Sequence, residues 1–334
     1  MKSNIQNNNY LLEIENLKVY FSTVLGTAYA VDDISFKIRR GQAVALVGES
    51  GCGKTVTALS ILRLLHTPPL SHLSGRIKFE GRDLITLSEE EMRRVRGRHI
   101  SMVFQEPMSS LNPVFRVGDQ IADVMKMHFG MTKEESFGKI EKVMEWVGIT
   151  DPHMRLRQYP YELSGGLVQR VMIAMAVVCE PKLLIADEPT TALDVTIQAE
   201  ILKLLRRIKH EKEMSVLLIS HDLSVVARIA EWVVVLYAGK KVEEGSSTVI
   251  YAKPTHPYTK ALFDALPAKS GGKKRLNTIP GSVPLTTEPP KGCRFHPRCP
   301  SAMHICEVKE PPWIQLSPEQ GNACWLYAGE EIKT

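Results

Sequence analysis

One eight-residue segment constrains this chain more than any other: Gly48-Glu-Ser-Gly-Cys-Gly-Lys-Thr55, which fits the pattern G-x-x-x-x-G-K-[ST]. An apolar run at Ala43–Val47 precedes it, and a stretch with helical character, Thr57–Leu65, follows it. A glycine-rich loop between a strand and a helix can wrap its backbone N–H groups around phosphate oxygens. We therefore predict a nucleotide cradle, in which Lys54 reaches the β- and γ-phosphates and Thr55 ligates Mg²⁺. The remaining cradle residues are Glu49, Ser50, Gly51, Cys52, Gly53 and Val56.

Composition excludes several other classes of protein. The chain has 334 residues, of which 44% are hydrophobic and 24% charged, as in soluble globular proteins. Its longest uninterrupted apolar run, Val171–Cys179, is far shorter than the ~20 residues of a membrane-spanning helix. The net charge of +5 is spread along the chain, unlike the basic stripe of a nucleic-acid binder. Residues Met1–Asn9 lack the apolar stretch of a secretory signal, so we expect a cytosolic chain.

The hydrophobic pattern predicts an α/β fold. Imperfect alternation in the N-terminal third favours antiparallel strands at Leu12–Phe21, Ala30–Ile38 and Arg76–Phe79. Further along, short apolar runs are continuous, which is typical of strands buried on both faces of a parallel sheet. These runs are Val44–Val47, Leu183–Ala186, Val216–Ile219 and Val233–Leu236. Helices are expected at Lys133–Val147, Val171–Val178 and Thr196–Lys209.

Two acids end one of the predicted strands. Asp187 and Glu188 follow Leu183–Ala186 directly. In P-loop enzymes the first such acid holds Mg²⁺, opposite the hydroxyl of the phosphate loop. The second acid, Glu188, is placed where a general base could polarise the attacking water.

A further glycine pair opens the predicted helix that contains Val171–Val178. The sequence Leu163-Ser-Gly-Gly166 resembles the signature of ABC ATPases, a family of P-loop enzymes. The resemblance implies a P-loop NTPase core with a RecA-like parallel sheet, an N-terminal antiparallel β subdomain and a helical signature subdomain. It also implies that Ser164, Gly165 and Gly166 close on the γ-phosphate held by a partner ATPase. In the family a glutamine usually follows these four residues, whereas this chain has Leu167. The departure puts the detailed contacts at the dimer interface in doubt.

The same resemblance assigns the remaining nucleotide contacts. Asp194, in Thr191–Asp194, resembles the D-loop residue that lines the dimer seam. His221 resembles the switch histidine that contacts the γ-phosphate, and Gln105 the Q-loop glutamine that touches Mg²⁺. Phe21 is expected to stack on adenine, with Tyr20 as the alternative, and packing within the strand is the other interpretation of both aromatics. Glu188, His221, Lys54 and Gln105 are thus the predicted catalytic residues, and Thr55, Gln105 and Asp187 the predicted Mg²⁺ ligands.

Segments outside the ATP motifs resemble importers of dipeptides and oligopeptides. They are Phe104–Gln120, Arg170–Met175, His256–Leu262 and Gly292–Pro300. The resemblance implies the D-type ATPase subunit of such an importer, peripheral at the cytoplasmic face of the cell membrane. Its implied partners are a second, homologous ATPase, two transmembrane permeases and an external peptide-binding protein, without nucleic acid. Import of a related solute such as nickel, and a non-transport ABC ATPase acting on a soluble complex, stay open as alternatives.

The expected domains are a nucleotide-binding domain over 11–252, with a helical subdomain at about 106–166, and a C-terminal extension over 253–334. The extension is rich in proline and holds four of the six cysteines, Cys293, Cys299, Cys306 and Cys324. Four thiolates among proline-rich loops can hold a [4Fe–4S] cluster, and similar importer ATPases carry one there. A four-cysteine zinc site, with His296 or His304 substituting, is the alternative. Cys52 and Cys179 are expected to be packing residues.

Overall fold

The computed structural model describes residues 9–191, 193–265 and 278–329. The prediction that the first nine residues carry no signal therefore lies almost entirely outside the described residues. The strands are β1 (Tyr10–Thr23), β2 (Gly26–Arg39), β3 (Ala43–Val47), β4 (Leu70–Phe79), β5 (Arg82–Asp83), β6 (Ile100–Val103), β7 (Leu183–Asp187), β8 (Ser215–Ser220), β9 (Trp232–Tyr237), β10 (Lys240–Ser246), β11 (Ile314–Ser317) and β12 (Gln320–Asn322).

Helices alternate with these strands over most of the chain. They are α1 (Lys54–Ile61), α2 (Glu89–Val95), α3 (Pro107–Ser110), α4 (Val117–Phe129), α5 (Lys133–Trp146), α6 (Pro152–Arg155), α7 (Gly165–Val177), α8 (Val195–Glu211), α9 (Leu223–Val226), α10 (Ser247–Ala252), α11 (Pro257–Asp264) and α12 (His304–Val308). Among the described residues, no helix combines the length and the apolar character needed to cross a membrane.

The chain divides into two compact units. The first unit contains residues 1–39, 43–85 and 219–334, and the second contains residues 40–42 and 86–218.

An antiparallel sheet with the strand order β2-β1-β4-β5 forms one part of the first unit. It confirms the three antiparallel strands predicted from the N-terminal third. The alternation in β1 is imperfect because the register shifts between Ile14 and Leu17 in its pairing with β2. Asn16, at that irregularity, has a φ of 49°, in the left-handed region. A bulge of this kind turns the following side chains to the opposite face.

The rest of the first unit is built on the strands β11-β12-β10-β9-β3, in that order. β3 and β9 pair in parallel, with Val44 opposite Trp232, and every residue of β3 is buried. This confirms that the continuous apolar runs are internal strands. The helix after the phosphate loop starts at Lys54 and ends at Ile61, earlier than the predicted Thr57–Leu65. It ends there because Arg63 adopts a φ of 52°, which no helix continues.

In the second unit, β7 pairs in parallel with β6, with Ile100 opposite Leu183. α5 confirms the predicted amphipathic helix and begins at a capping box between Thr132 and Glu135. α8 confirms the predicted helix over 196–209, extended by one residue at its start and two at its end. α7 begins at Gly165, directly behind the N-cap Ser164, which confirms the predicted helix start at the glycine pair.

A buried carboxylate fixes the start of the segment that follows residue 252. Glu243, on β10, is fully buried and accepts four hydrogen bonds. The donors are the Thr255 amide (2.8 Å) and hydroxyl (2.7 Å), the His256 amide (3.0 Å) and the Gln320 side-chain amide (2.8 Å). Since a buried charge is costly unless it is hydrogen-bonded, this set of donors specifies how the segment packs on β10.

His256 makes stability depend on pH. It is buried, and its Nδ1 accepts a hydrogen bond from the Tyr258 amide (3.1 Å), so the ring is neutral. Burial, reinforced by the charge of Lys260, lowers the pKa of His256 to about 3. Unfolding restores an ordinary pKa of about 6.5, so the unfolded chain takes up a proton below that pH. The free energy of unfolding therefore keeps its full value above pH 6.5, and protonation of the unfolded His256 lowers it by about 2 kcal/mol at pH 5.

Urea denaturation at pH 7 and pH 5 measures the loss. His256→Asn retains an oxygen that can accept from the Tyr258 amide, so its stability should change with pH by about 2 kcal/mol less than that of the parent. His304→Asn, at an exposed histidine in α12, should behave like the parent. An equal pH response in the parent and in His256→Asn would contradict the assignment.

Candidate active site

The phosphate loop, residues 48–55, connects β3 to α1 and requires glycine at two positions. Gly48 has a φ of 150°, and a Cβ there would lie 2.2 Å from the Leu236 carbonyl oxygen. Gly53 has a φ of 99°, and a Cβ there would lie 2.4 Å from the Ala30 carbonyl oxygen. At both positions the backbone has a positive φ and lies against a carbonyl oxygen. Only glycine can occupy such a position, because it has no Cβ. The loop is thus held by backbone-to-backbone packing.

Lys54 stands inside this loop. Its side chain is buried, at 6% exposure, and its ammonium donates to the Gly48 carbonyl (2.8 Å) and the Glu49 carbonyl (3.0 Å). Thr55, the next residue, is exposed in the first turn of α1. A buried ammonium beside the N-terminus of a helix creates a positive potential that attracts phosphate oxygens.

Glu49 is held by two residues that the sequence analysis missed. The Glu49 amide donates to the Tyr258 hydroxyl (2.8 Å), and the Arg298 guanidinium donates to both Glu49 carboxylate oxygens (2.7 and 3.1 Å). Arg298 is 249 positions away along the chain, so no local pattern could have indicated the contact. The only available signal was the presence of an arginine and a tyrosine in segments already singled out by resemblance.

In the second unit, the structure brings together two of the predicted catalytic residues. The Gln105 side-chain amide donates to a Glu188 carboxylate oxygen (3.1 Å). The hydroxyl of Thr191 donates to the same oxygen (2.9 Å), a contact that sequence reasoning missed. Glu188 has a φ of 46°, an uncommon conformation for a residue with a side chain, and such strain clusters at functional sites. Asp187 ends β7 just before it and is 1% exposed.

The signature residues lie at the start of a helix, as predicted. Ser164 is the N-cap of α7, is exposed, and makes no side-chain capping bond to that helix. Gly165 and Gly166 form the first turn, and a Cβ on Gly166 would lie 3.1 Å from Ile197. This exposed helix N-terminus can accept an anion.

Asp194 has a structural contact of its own. Its carboxylate caps α8 by accepting from the Ile197 amide (2.9 Å). Ala192, within the predicted D-loop, lies outside the described residues.

The aromatic candidates for adenine differ in their surroundings. The Tyr20 ring stacks on His72 with a centroid distance of 5.0 Å, and its hydroxyl donates to Asp32 (2.8 Å). Burial and the Asp32 carboxylate raise the pKa of Tyr20. Phe21 is half-buried on β1. Since one face of Tyr20 is covered, Phe21 is the better candidate.

His221 is exposed directly after β8.

The predicted iron–sulfur cluster is wrong, and so is its zinc alternative. The part of the chain that the structure describes contains no group of three or more His, Cys, Asp or Glu side chains able to hold a metal ion. The four cysteines line a cavity of about 10 Å³, room for about one water molecule. Burial raises the pKa of Cys293 to about 12 and that of Cys324 to about 11, so both thiols are neutral at pH 7 in the metal-free chain. All four are free cysteines, and Phe295 and Trp325 line the same cavity.

Two family models and a solved structure resemble this chain. Residues 31–191 match the family model described as ABC transporter. Residues 242–306 match the model described as Oligopeptide/dipeptide transporter, C-terminal region. Among solved structures, the dimeric bacterial ABC transporter cassette MJ0796 superposes with a TM-score of 0.63 at 24% identity, covering 71% of this chain and 98% of the cassette, a likeness that concerns the fold alone.

The fold and the phosphate loop define an ATP-binding cassette, and the chain is an ATPase of the ABC class. It is 47% identical over 318 residues to the dipeptide transport ATP-binding protein DppD of Bacillus subtilis, covering 95% of this chain and 94% of that protein. It is also 47% identical over 316 residues to a probable peptide ABC transporter ATP-binding protein, y4tR, of Sinorhizobium fredii, covering 94% of each. The chain therefore belongs to the family of ATP-binding subunits of oligopeptide and dipeptide ABC transporters.

Proposed function

We propose that this protein hydrolyses ATP to drive the import of dipeptides or oligopeptides, working at the cytoplasmic face of the cell membrane. The observation that carries the proposal is the 47% identity to a dipeptide transport ATP-binding protein over 95% of the chain. The predicted nucleotide residues support it, because Gly48, Gly53 and Lys54 form a loop that suits phosphate. The division into a nucleotide-binding domain over 11–252 and an extension over 253–334 is part of the same proposal.

ATP binding starts with the phosphate loop. The amides of the loop and of the first turn of α1 bind the phosphates, and Lys54 exchanges its two carbonyl contacts for phosphate oxygens. Phe21 stacks on the adenine. Residues Glu49, Ser50, Gly51, Cys52 and Val56 complete the cradle.

The predicted Mg²⁺ ligands all offer oxygen atoms. The Thr55 hydroxyl, the Asp187 carboxylate and the Gln105 amide supply hard oxygen ligands, which this ion prefers. Held by these residues, Mg²⁺ would supply positive charge beside the β- and γ-phosphates.

Hydrolysis uses the cluster around Glu188. Its carboxylate accepts from Gln105 and Thr191, which fix its orientation without removing its charge. We assign it the role of general base, which accepts the proton of the attacking water. His221 steadies the γ-phosphate. These roles match the exposure of Gln105 and His221, both of which are accessible to a ligand.

The proposed assembly pairs this ATPase with a homologous one. Ser164, Gly165 and Gly166 close the nucleotide site of the partner, and Asp194 lines the seam. Contacts to the γ-phosphate exist only with ATP, so binding favours the closed pair and hydrolysis lets it open. Two permeases and an external peptide-binding protein complete the transporter.

The role of Lys54 predicts the effect of its removal. Lys54→Ala deletes the ammonium, and we expect ATP affinity to fall at least tenfold because charge-assisted contacts to phosphate are lost. Binding of a fluorescent ATP analogue measures it. Lys203→Ala, at an exposed lysine on α8, should bind like the parent. Unchanged affinity in Lys54→Ala would refute the cradle assignment.

The role of Glu188 predicts a separation of binding from turnover. Glu188→Gln keeps the shape and an acceptor for Thr191 but cannot take a proton. We expect ATP turnover to fall by roughly 10²- to 10⁴-fold with binding retained. Phosphate release measures turnover, and Glu134→Gln, at an exposed acid on α5, serves as the matched control. Parental turnover in Glu188→Gln would exclude it as the base.

The transport function is tested by isolating the subunit from its native membranes and identifying its partners by mass spectrometry. We expect two permeases, a second ATPase and a peptide-binding protein. Recovery of a nickel-specific binding protein would indicate that the imported solute is nickel and not a peptide. Recovery of soluble partners alone would indicate a non-transport ATPase.

A further inference from the structure

We infer that Arg298 is a positioning residue for ATP binding: it acts through Glu49, and so makes the C-terminal segment a working part of the phosphate loop. The inference rests on the proposed nucleotide role of that loop. The contacts of Arg298 and Tyr258 with Glu49 are called the Glu49 clasp below.

The clasp grips Glu49 at two separate points. Arg298 donates to both carboxylate oxygens (2.7 and 3.1 Å), a bidentate arrangement that fixes the carboxylate in direction as well as distance. Tyr258 accepts from the backbone amide of the same residue (2.8 Å). A loop residue held by side chain and backbone together has little freedom to move. Among the loop's eight residues, Glu49 contributes the only acidic side chain.

Arg298 is itself anchored on the far side. It is 7% exposed, and its Nε donates to the Pro280 carbonyl (2.9 Å). Its Nη1 also donates to the Tyr237 hydroxyl (3.3 Å), and its Nη2 donates to the Ile279 carbonyl (3.4 Å). A guanidinium fixed in this way cannot follow Glu49 if the loop shifts. The clasp therefore transmits the position of the C-terminal segment to the loop.

Charge gives the clasp a direct effect on affinity. The Glu49 carboxylate is adjacent to the amides that would face phosphate, and a free carboxylate there would repel the ligand. Arg298 neutralises that charge. It does so from a buried position, where salt screens the pair less than it screens surface charges.

The clasp matters most once the nucleotide is bound. In this structure the Lys54 ammonium also holds the loop, through the Gly48 and Glu49 carbonyls (2.8 and 3.0 Å). When Lys54 turns to phosphate those two bonds are lost. The bonds of Glu49 to Arg298 and Tyr258 then remain.

The test measures the dissociation constant of ATP and the KM and kcat of hydrolysis in the full-length protein. Arg298→Met removes the charge and keeps most of the volume, and we expect ATP affinity to fall roughly tenfold, with KM raised more than kcat is lowered. The defect should shrink at high ionic strength, because it arises from an uncompensated carboxylate. Arg298→Lys, which restores the charge without the fork, should recover part of the loss.

A double variant shows whether the effect passes through Glu49. Adding Glu49→Gln to Arg298→Met removes the unpaired charge. The double variant should bind ATP at least threefold more tightly than Arg298→Met alone. A merely structural role for Arg298 predicts the opposite, a defect that stays or deepens in the double variant.

Arg294→Met is the matched control. Arg294 comes from the same segment, is equally buried at 7% exposure, and donates to Asp32 and to the Ala238 carbonyl rather than to Glu49. Its loss should lower the melting temperature about as much as that of Arg298 while leaving ATP affinity within twofold. Equal loss of affinity in the two variants would overturn the inference.

Lys54→Ala separates this inference from the proposed function. If Lys54→Ala abolishes ATP binding and Arg298→Met does not weaken it, the cradle stands and the inference fails. If Lys54→Ala leaves binding unchanged, the cradle assignment itself is wrong.

Discussion

Close packing of the phosphate loop on backbone carbonyls is the constraint on which the rest of the site depends. Gly48 leaves no room for a side chain beside Leu236, and Gly53 leaves none beside Ala30. Because β9 supplies one carbonyl and β2 the other, the loop conformation is set by two different sheets of the first unit. Packing of this kind fixes the loop conformation through contacts within the protein. Such preorganisation lowers the cost of binding, since little ordering remains to be done.

Local sequence predicted the parts of the structure that are local in origin. The strand, loop and helix around Gly48–Thr55, the helix start at Ser164 and the amphipathic helix α5 each follow from a pattern of a few residues. The boundaries were less predictable. α1 ends at Ile61 because of the backbone at Arg63, and β1 loses its alternation at a bulge near Asn16. Neither conformation has a composition signal strong enough to identify it in advance.

Long-range contacts could not be predicted in the same way. Nothing near Glu49 indicates a bond to Arg298, and nothing near Glu188 indicates that Gln105, 83 positions away, donates to its carboxylate. The four cysteines illustrate the converse error. Their number and spacing allowed a metal, but spacing does not determine the volume they enclose or the protonation of the thiols. The cavity has room for about one water, and burial favours the neutral Cys293 thiol.

Charged groups hold the C-terminal segment at several points. Glu243 receives four hydrogen bonds from Thr255, His256 and Gln320, while Arg294 binds Asp32 and Arg298 binds Glu49. Apolar packing alone would tolerate small shifts of such a loop-rich segment. Buried charges do not, because each loses its partners if the segment moves, at a cost of several kcal/mol. Anchoring by charge therefore fixes one orientation, and it is this fixed orientation that lets a segment so distant in sequence act on the phosphate loop.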